Sequence, residues 1–312
     1  MMNGTSNWQV VLTEFCTLGE SPVWDDRLQR ILWVDIIEGH VHEWYTAARR
    51  HVMTHFPVKI GAIALIDDGA VIAASDEGFV FLDLRNRGVK RITDPESRLA
   101  DNRFNDGKCD AVGRFWAGTM DEVTGKKGAG SLYSLDKDGR ATRRVNNVTC
   151  SNGLAWSLDH QTLFYIDTGT HQVQAFDFEL ETGRIANPRA VIDIPESEGW
   201  PDGMTIDAAG MLWIAFWGGW KVARWNPYTG EKLSEIKLPV AQITSCTFGG
   251  KNLKDLYITS ANIGLTDAER SAQRLAGSLF VVDNLDVGGI GPSRYVQRES
   301  PSDFATHTIH GH

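Results

Sequence analysis

Apolar and aromatic residues come in short runs, broken by Asp, Gly or Asn, in a chain holding 31 Gly, 11 Trp and 13 Phe. Runs of this kind predict brief strands joined by tight turns rather than helices. The runs also repeat. "ESPVWDDRLQRILWVDI", "FNDGKCDAVGRFWAGTM", "SNGLAWSLDHQTLFYIDT", "PDGMTIDAAGMLWIAFW" and "TSCTFGGKNLKDLYITSA" each pass from a polar start through apolar positions to a turn and an aromatic strand. A fainter copy is "GAIALIDDGAVIAAS". With Trp33, Ile72, Trp116, Tyr165, Trp213 and Tyr257 as markers of the second strand, the repeats fall 39, 44, 49, 48 and 44 residues apart. That period belongs to propeller blades.

Further hairpins such as "GSLYSLDKDGRATRRV" and "KVARWNPYTGEKLSEIKL" bring each unit to about four strands. The expected fold is therefore all-β, a six-bladed β-propeller with four-stranded blades around a central channel. "WQVVLTEF" near the start and "GSLFVVDNL" near the end are candidates for the outer strands that complete the ring. Inner strands covered on both faces should read as apolar runs, which accounts for the weak alternation. One period along the whole length disfavours a β-sandwich or two small barrels. The expected organisation is one propeller domain over residues 1–296, with a disordered tail over 297–312.

Composition removes several classes of function. The net charge is −9 and no basic stripe is present, which argues against a nucleic-acid surface. No apolar segment is long enough to span a membrane, and the start lacks a secretory pattern, so a cytoplasmic protein is expected. Cys16, Cys109, Cys150 and Cys246 form no C-x-x-C pair and read as buried thiols. A monomer or weak homo-oligomer acting on a small molecule fits this composition.

The repeat brings distant polar residues together. The first strand of each blade lines the channel, so equivalent positions form a ring at one mouth. Counted back from the markers, Glu20, Asn105, Asn152, Asp202 and Ser245 lie 11 to 13 residues upstream and share one slot. Carboxylate and amide oxygens suit a hard divalent cation. "SNG", "PDG" and "NDG" are also ordinary turn formers, yet a turn signal has no reason to keep the same phase in every repeat.

Other patterns fail. "NDG" cannot open an EF-hand, because Phe104 and Gly113 would fall on ligand positions. "GESPV" lacks the last glycine of a nucleophile elbow. Asp167 in "IDTG" has no second copy to form a dyad, and "GKKGAG" has no βαβ setting. His40 and His42 read as surface histidines. Asp106 and Gly107 read as turn chemistry, and Lys108 with Asp110 as a solvated pair.

"GESPVW", "RFNDGKCDAVGRFWAGTM", "SNGLAWS", "WPDGMTIDAAGMLW" and "TSCTFGG", in this order, resemble the senescence-marker-protein (regucalcin), gluconolactonase and luciferin-regenerating-enzyme family over roughly residues 12–290. The resemblance implies a six-bladed propeller with one divalent cation in the channel, and in many members hydrolysis of sugar lactones. It places the metal ligands on Glu20, Asn152 and Asp202, and the substrate-contacting Arg and Asn on Arg103 and Asn105. Some relatives carry a further substrate-contacting acid after "AGTM". Val123 stands at that position here, with Glu122 beside it as the candidate replacement.

The expected reaction is metal-dependent hydrolysis of an aldonolactone such as glucono-, xylono- or arabinolactone. The cation polarises the carbonyl, and Asp202, or a cation-bound hydroxide it orients, delivers water as general base. An oxygen ligand set admits Ca2+, Zn2+, Mn2+, Mg2+ or Fe2+. Two alternatives stand beside this one: an arylesterase or organophosphate hydrolase on the same scaffold, and a non-enzymatic calcium-binding protein.

Overall fold

The computed structural model describes residues 8–66 and 70–297. The expected tail, from residue 298 onward, lies outside the described residues. Six four-stranded antiparallel sheets surround a channel. Their inner strands, from blade 1 to blade 6, are Gly19–Asp25, Ile60–Leu65, Asn102–Cys109, Ser151–Trp156, Trp200–Ile206 and Ile243–Gly249. The first five blades are built from consecutive strands. In the sixth, the third strand Leu279–Val282 pairs with Trp8–Leu12, so the N-terminal strand closes the ring as the outermost strand of the last blade.

All six markers lie on second strands, and their apolar character follows from what covers them. Six hydrophobic clusters each join two neighbouring blades. Leu32 and Val34 of blade 1 pack with Ile63 and Val80 of blade 2. Trp116 of blade 3 packs with Trp156 and Phe178 of blade 4. Trp24 of blade 1 stacks on Tyr257 of blade 6 at 5.8 Å, which joins the last blade to the first. The core is thus a ring of interfaces, each strand face being buried against the next sheet.

The turn between first and second strands has its own device. Asp110 accepts a hydrogen bond from Trp116 Nε1 at 2.9 Å and an ion pair from Arg114 at 2.8 Å. Asp207 does the same with Trp213 Nε1 at 2.9 Å and Arg224 at 2.7 Å. Both carboxylates are fully buried. Asp110 is therefore a structural acid and not half of a solvated pair, because a buried indole N–H needs an acceptor. Lys108 does not meet it; its Nζ donates to the Met204 carbonyl at 2.6 Å on blade 5.

His42 also departs from expectation. It is 1% exposed, stacked on Trp33 at 4.8 Å, with Nδ1 3.0 Å from His51 Nε2. Cross-strand pairing in blade 1 sets His42 opposite Trp33 and places it between the aromatic core and the outer strand. Among the described residues no helix is long and apolar enough to cross a membrane.

Candidate functional site

Every inner strand breaks register with its partner near one end. In four blades two residues face one: Ser21 and Pro22 opposite Trp33, Asn105 and Asp106 opposite Gly118, Asn152 and Gly153 opposite Ile166, Asp202 and Gly203 opposite Ala215. Such a bulge bends the strand and re-aims a side chain, here into the channel. "SNG", "PDG" and "NDG" are therefore bulges within strands and not turns. Their glycines answer a packing demand. A Cβ on Gly153 would stand 2.7 Å from Met204 Cβ and 2.9 Å from the Asp202 carbonyl oxygen.

In blade 6 the extra residue, Thr244, lies between Ile243 and Ser245 and faces no residue of the second strand. Ser245 accordingly lines a second cavity deeper in the channel, and Thr244 donates to the Gly19 carbonyl at 2.6 Å. The residue count placed Ser245 with the others because it could not show that Thr244, and not Ser245, is the residue out of register. Blade 2 offers only Gly61 at its irregularity.

The remaining four residues meet. Glu20, Asn105, Asn152 and Asp202 line a cavity of about 440 Å3 together with Arg103, Thr168, Cys150, Met120, Leu18, Trp200, Trp217 and Ile263. Glu20 enters one residue ahead of the bulge. Its neighbour Ser21, which takes the bulge position with a positive φ, uses its hydroxyl to accept from Ile63 N at 3.0 Å.

A hydrogen-bond chain runs through the wall. Arg103 Nη1 donates to Asn105 Oδ1 at 2.7 Å; Asn105 Nδ2 donates to the Ser151 carbonyl at 2.9 Å and to Asn152 Oδ1 at 3.2 Å. Asn152 Nδ2 donates to Thr168 Oγ1 at 2.8 Å, and the Thr168 hydroxyl spends its proton on the Pro201 carbonyl at 2.7 Å. Because Thr168 can only accept from Asn152, the amide orientation is determined and Oδ1 is the atom that meets Asn105.

Glu122 does not line the cavity. It ion-pairs with Arg103 Nε at 2.8 Å and with Lys59 Nζ, holding the guanidinium from behind. Val123 is 70% exposed.

The charges are uncomfortable without a partner. Burial pushes the Glu20 carboxyl up to about 8, with the nearby Asp106 carboxylate adding to the effect and Ser21 N–H and Arg103 offsetting part of it. Burial likewise raises Asp202 well above the usual carboxylate range, with Glu20 and Asp106 contributing. Among the described residues no three His, Cys, Asp or Glu side chains are arranged to hold a metal ion, so the set depends on the Asn152 amide oxygen. Two buried carboxylates and one oriented amide oxygen fit a hard divalent cation, whose charge relieves their mutual repulsion.

Sequence reasoning did not find Asp106 as a buried channel acid, nor Thr168, Cys150, Trp200 and Trp217 in the wall. Asp106 adjoins Asn105 within one bulge, and only an expected bulge would have turned it inward. Trp200 stood only as the first residue of "WPDG", with nothing in the pattern to set it in the wall.

Residues 18–262 match the SMP-30/Gluconolactonase/LRE-like region. Regucalcin of Homo sapiens is 39% identical over 291 residues, covering 92% of this chain and 97% of its own. Two solved structures superpose with a TM-score of 0.87: a luciferin-regenerating enzyme at 30% identity, covering 92% of this chain and 98% of its own, and a calcium-binding protein, regucalcin, from Agrobacterium tumefaciens at 29% identity, covering 92% and 96%. With a family match over most of its length and the same propeller, the chain belongs to the SMP-30/gluconolactonase/LRE-like family.

Proposed function

We propose that the protein hydrolyses a lactone, using a divalent cation held by Glu20, Asn152 and Asp202. The observation that carries this reading is the convergence of those three oxygen donors, from three blades, in one cavity beside the Arg103 guanidinium. When bound, a hard divalent cation supplies a Lewis acid for the ester carbonyl.

The chain's own groups account for the rest. The Asp202 carboxylate takes the proton of the attacking water as general base. The water oxygen bonds to the carbonyl carbon, the ring C–O bond breaks, and the proton passes to the departing ring oxygen, leaving the hydroxy acid. Arg103 is held by Glu122, Asn105 and the Phe104 carbonyl through Nε and Nη1. Its Nη2 is left to meet developing negative charge on the substrate. The aldonolactones named by the family are the first substrates to test.

The test is acid release from glucono-, xylono-, arabino- and galactonolactone by full-length protein stripped with chelator and reloaded singly with Ca2+, Zn2+, Mn2+, Mg2+ or Fe2+. Turnover restored by at least one cation and abolished by Asp202→Ala is expected. Full lactonase rates in Asp202→Ala would overturn the role of this residue, and no turnover with any cation would overturn the reaction. Phenyl acetate and a phosphotriester, assayed alongside, separate a lactonase from an arylesterase or organophosphate hydrolase.

A further inference from the structure

The cavity has two unlike sides. On one, the polar side chains have largely spent their hydrogen-bonding capacity on one another. The Asn105 amide gives both its donors and its acceptor to Ser151, Asn152 and Arg103. Asn152 donates to the Thr168 hydroxyl, Thr168 donates to the Pro201 carbonyl, and Arg103 gives Nε to Glu122. Few groups remain to greet the hydroxyls of a sugar ring. A hydroxyl stripped of water without a partner is costly, and this is the basis on which polar sites discriminate.

The other side is apolar. Trp200 and Trp217 are cross-strand partners in blade 5, so their side chains stand on one face, and both line the cavity with Leu18, Met120 and Ile263. Trp200 is 48% exposed although its ring rests on His171 at 4.2 Å. An exposed indole beside a buried charged floor is a surface awaiting apolar contact.

Resting on the lactone hydrolysis proposed above, we infer that the substrate carries an apolar substituent, lodged against Trp200 and Trp217, and that the site selects such lactones over polyhydroxylated ones. The substituted ring sits with its carbonyl over Glu20, Asn152 and Asp202, and its alkyl or aryl group leaves water for the indole wall. Each methylene buried is worth a factor of roughly 4, so a five-carbon chain half covered by the wall gives on the order of 10-fold to 100-fold in kcat/KM.

Three six-membered lactones test this on the cation-loaded full-length protein: δ-gluconolactone, δ-valerolactone and δ-decalactone, which bears a pentyl chain. The expected order in kcat/KM is δ-decalactone first, with about 10-fold or more over δ-valerolactone and gluconolactone last. Trp200→Ala should collapse the ratio between δ-decalactone and δ-valerolactone, and Trp200→Phe should keep most of it. Calorimetric binding of 2-pentylcyclohexanone, which cannot be opened, gives a readout free of turnover. It should bind at least several-fold tighter than cyclohexanone to the native protein but not to Trp200→Ala, with a negative heat-capacity change. Gluconolactone outpacing δ-valerolactone, or Trp200→Ala losing equally on both unsubstituted and substituted rings, overturns the inference and leaves the hydrolase reading intact. No turnover of any of the three overturns the hydrolase reading, and the ketone pair then decides whether the wall binds apolar groups at all. Equal binding of the two ketones overturns the wall.

Discussion

Asn105 Nδ2 donates to Asn152 Oδ1 across 3.2 Å, joining the inner strands of blades 3 and 4 through the oxygen proposed above as a cation ligand. Partners that orient a ligand commonly govern metal affinity as much as the ligands do. Asn105→Leu would leave the Ser151 carbonyl and Arg103 Nη1 short of a partner. The expected result is a 10- to 100-fold weaker affinity, roughly, in a calorimetric Ca2+ titration. Stability should also fall by about 1–3 kcal/mol, as read by thermal unfolding of the metal-free protein, since buried groups lose their bonds. Unaltered affinity would show that this amide contact does not orient Asn152.

Asp202→Asn separates binding from folding by sign. Asp202, Glu20 and Asp106 are buried together and burdened by one another's charge. Removing one charge at constant shape should stabilise the protein in chelator, raising Tm by about 2 °C. The same change deletes one of two anionic ligands and should weaken divalent cation affinity on the order of 100-fold. Scanning fluorimetry with EDTA and then with Ca2+ reads both effects. A variant less stable in EDTA and still stabilised by Ca2+ to the native extent would contradict both expectations.

What could be read from the sequence divides along physical lines. Blade number, second-strand markers and closure by the N-terminal strand were legible, because they follow from a period and from apolar runs that two neighbouring blades must cover. Glu20, Asn105, Asn152 and Asp202 were legible as a set for the same reason. Ser245 was misplaced because the unpaired extra residue in blade 6 is Thr244, and spacing alone does not say which residue a bulge takes out of register. Glu122 was picked by adjacency to Val123, yet it pairs with Arg103 and Lys59 outside the cavity. His42 and Asp110 looked solvated since strand alternation does not reveal which polar residue faces a neighbouring sheet.

The glycine after Asn152 predicts a steric effect. Gly153→Ala would drive a Cβ to 2.7 Å from Met204 Cβ and 2.9 Å from the Asp202 carbonyl oxygen. Overpacking of this kind costs about 1–3 kcal/mol, and here it also pushes on the strand that carries Asp202. Both Tm and Ca2+ affinity should fall. Gly88→Ala is the control: its φ is not positive, and its Cβ would meet only Asp83 Cβ, at 3.7 Å. Equal tolerance of the two changes would mean that the inner strands can move apart freely.

His42 gives a pH dependence unconnected with the channel. Burial lowers its pKa from 6.5 to about 3, with His51 and His40 adding to the effect. The ring is closed in by Trp33, by His51 and His40, and by Cys16 Sγ at 3.8 Å, so no carboxylate stands against it among these contacts. A histidine that the fold keeps neutral binds its proton more readily once unfolded. Its contribution is therefore fully present above pH 6.5 and is lost progressively as the pH falls from 6.5 toward 3. At pH 5 the loss comes to about 2 kcal/mol, or a drop in Tm of about 3 °C. His42→Asn, which cannot gain a proton yet can still donate toward His51, should be less stable at pH 7 and should show a flatter decline between pH 7 and 5. An identical pH slope in native protein and variant would place the acid sensitivity elsewhere in the fold.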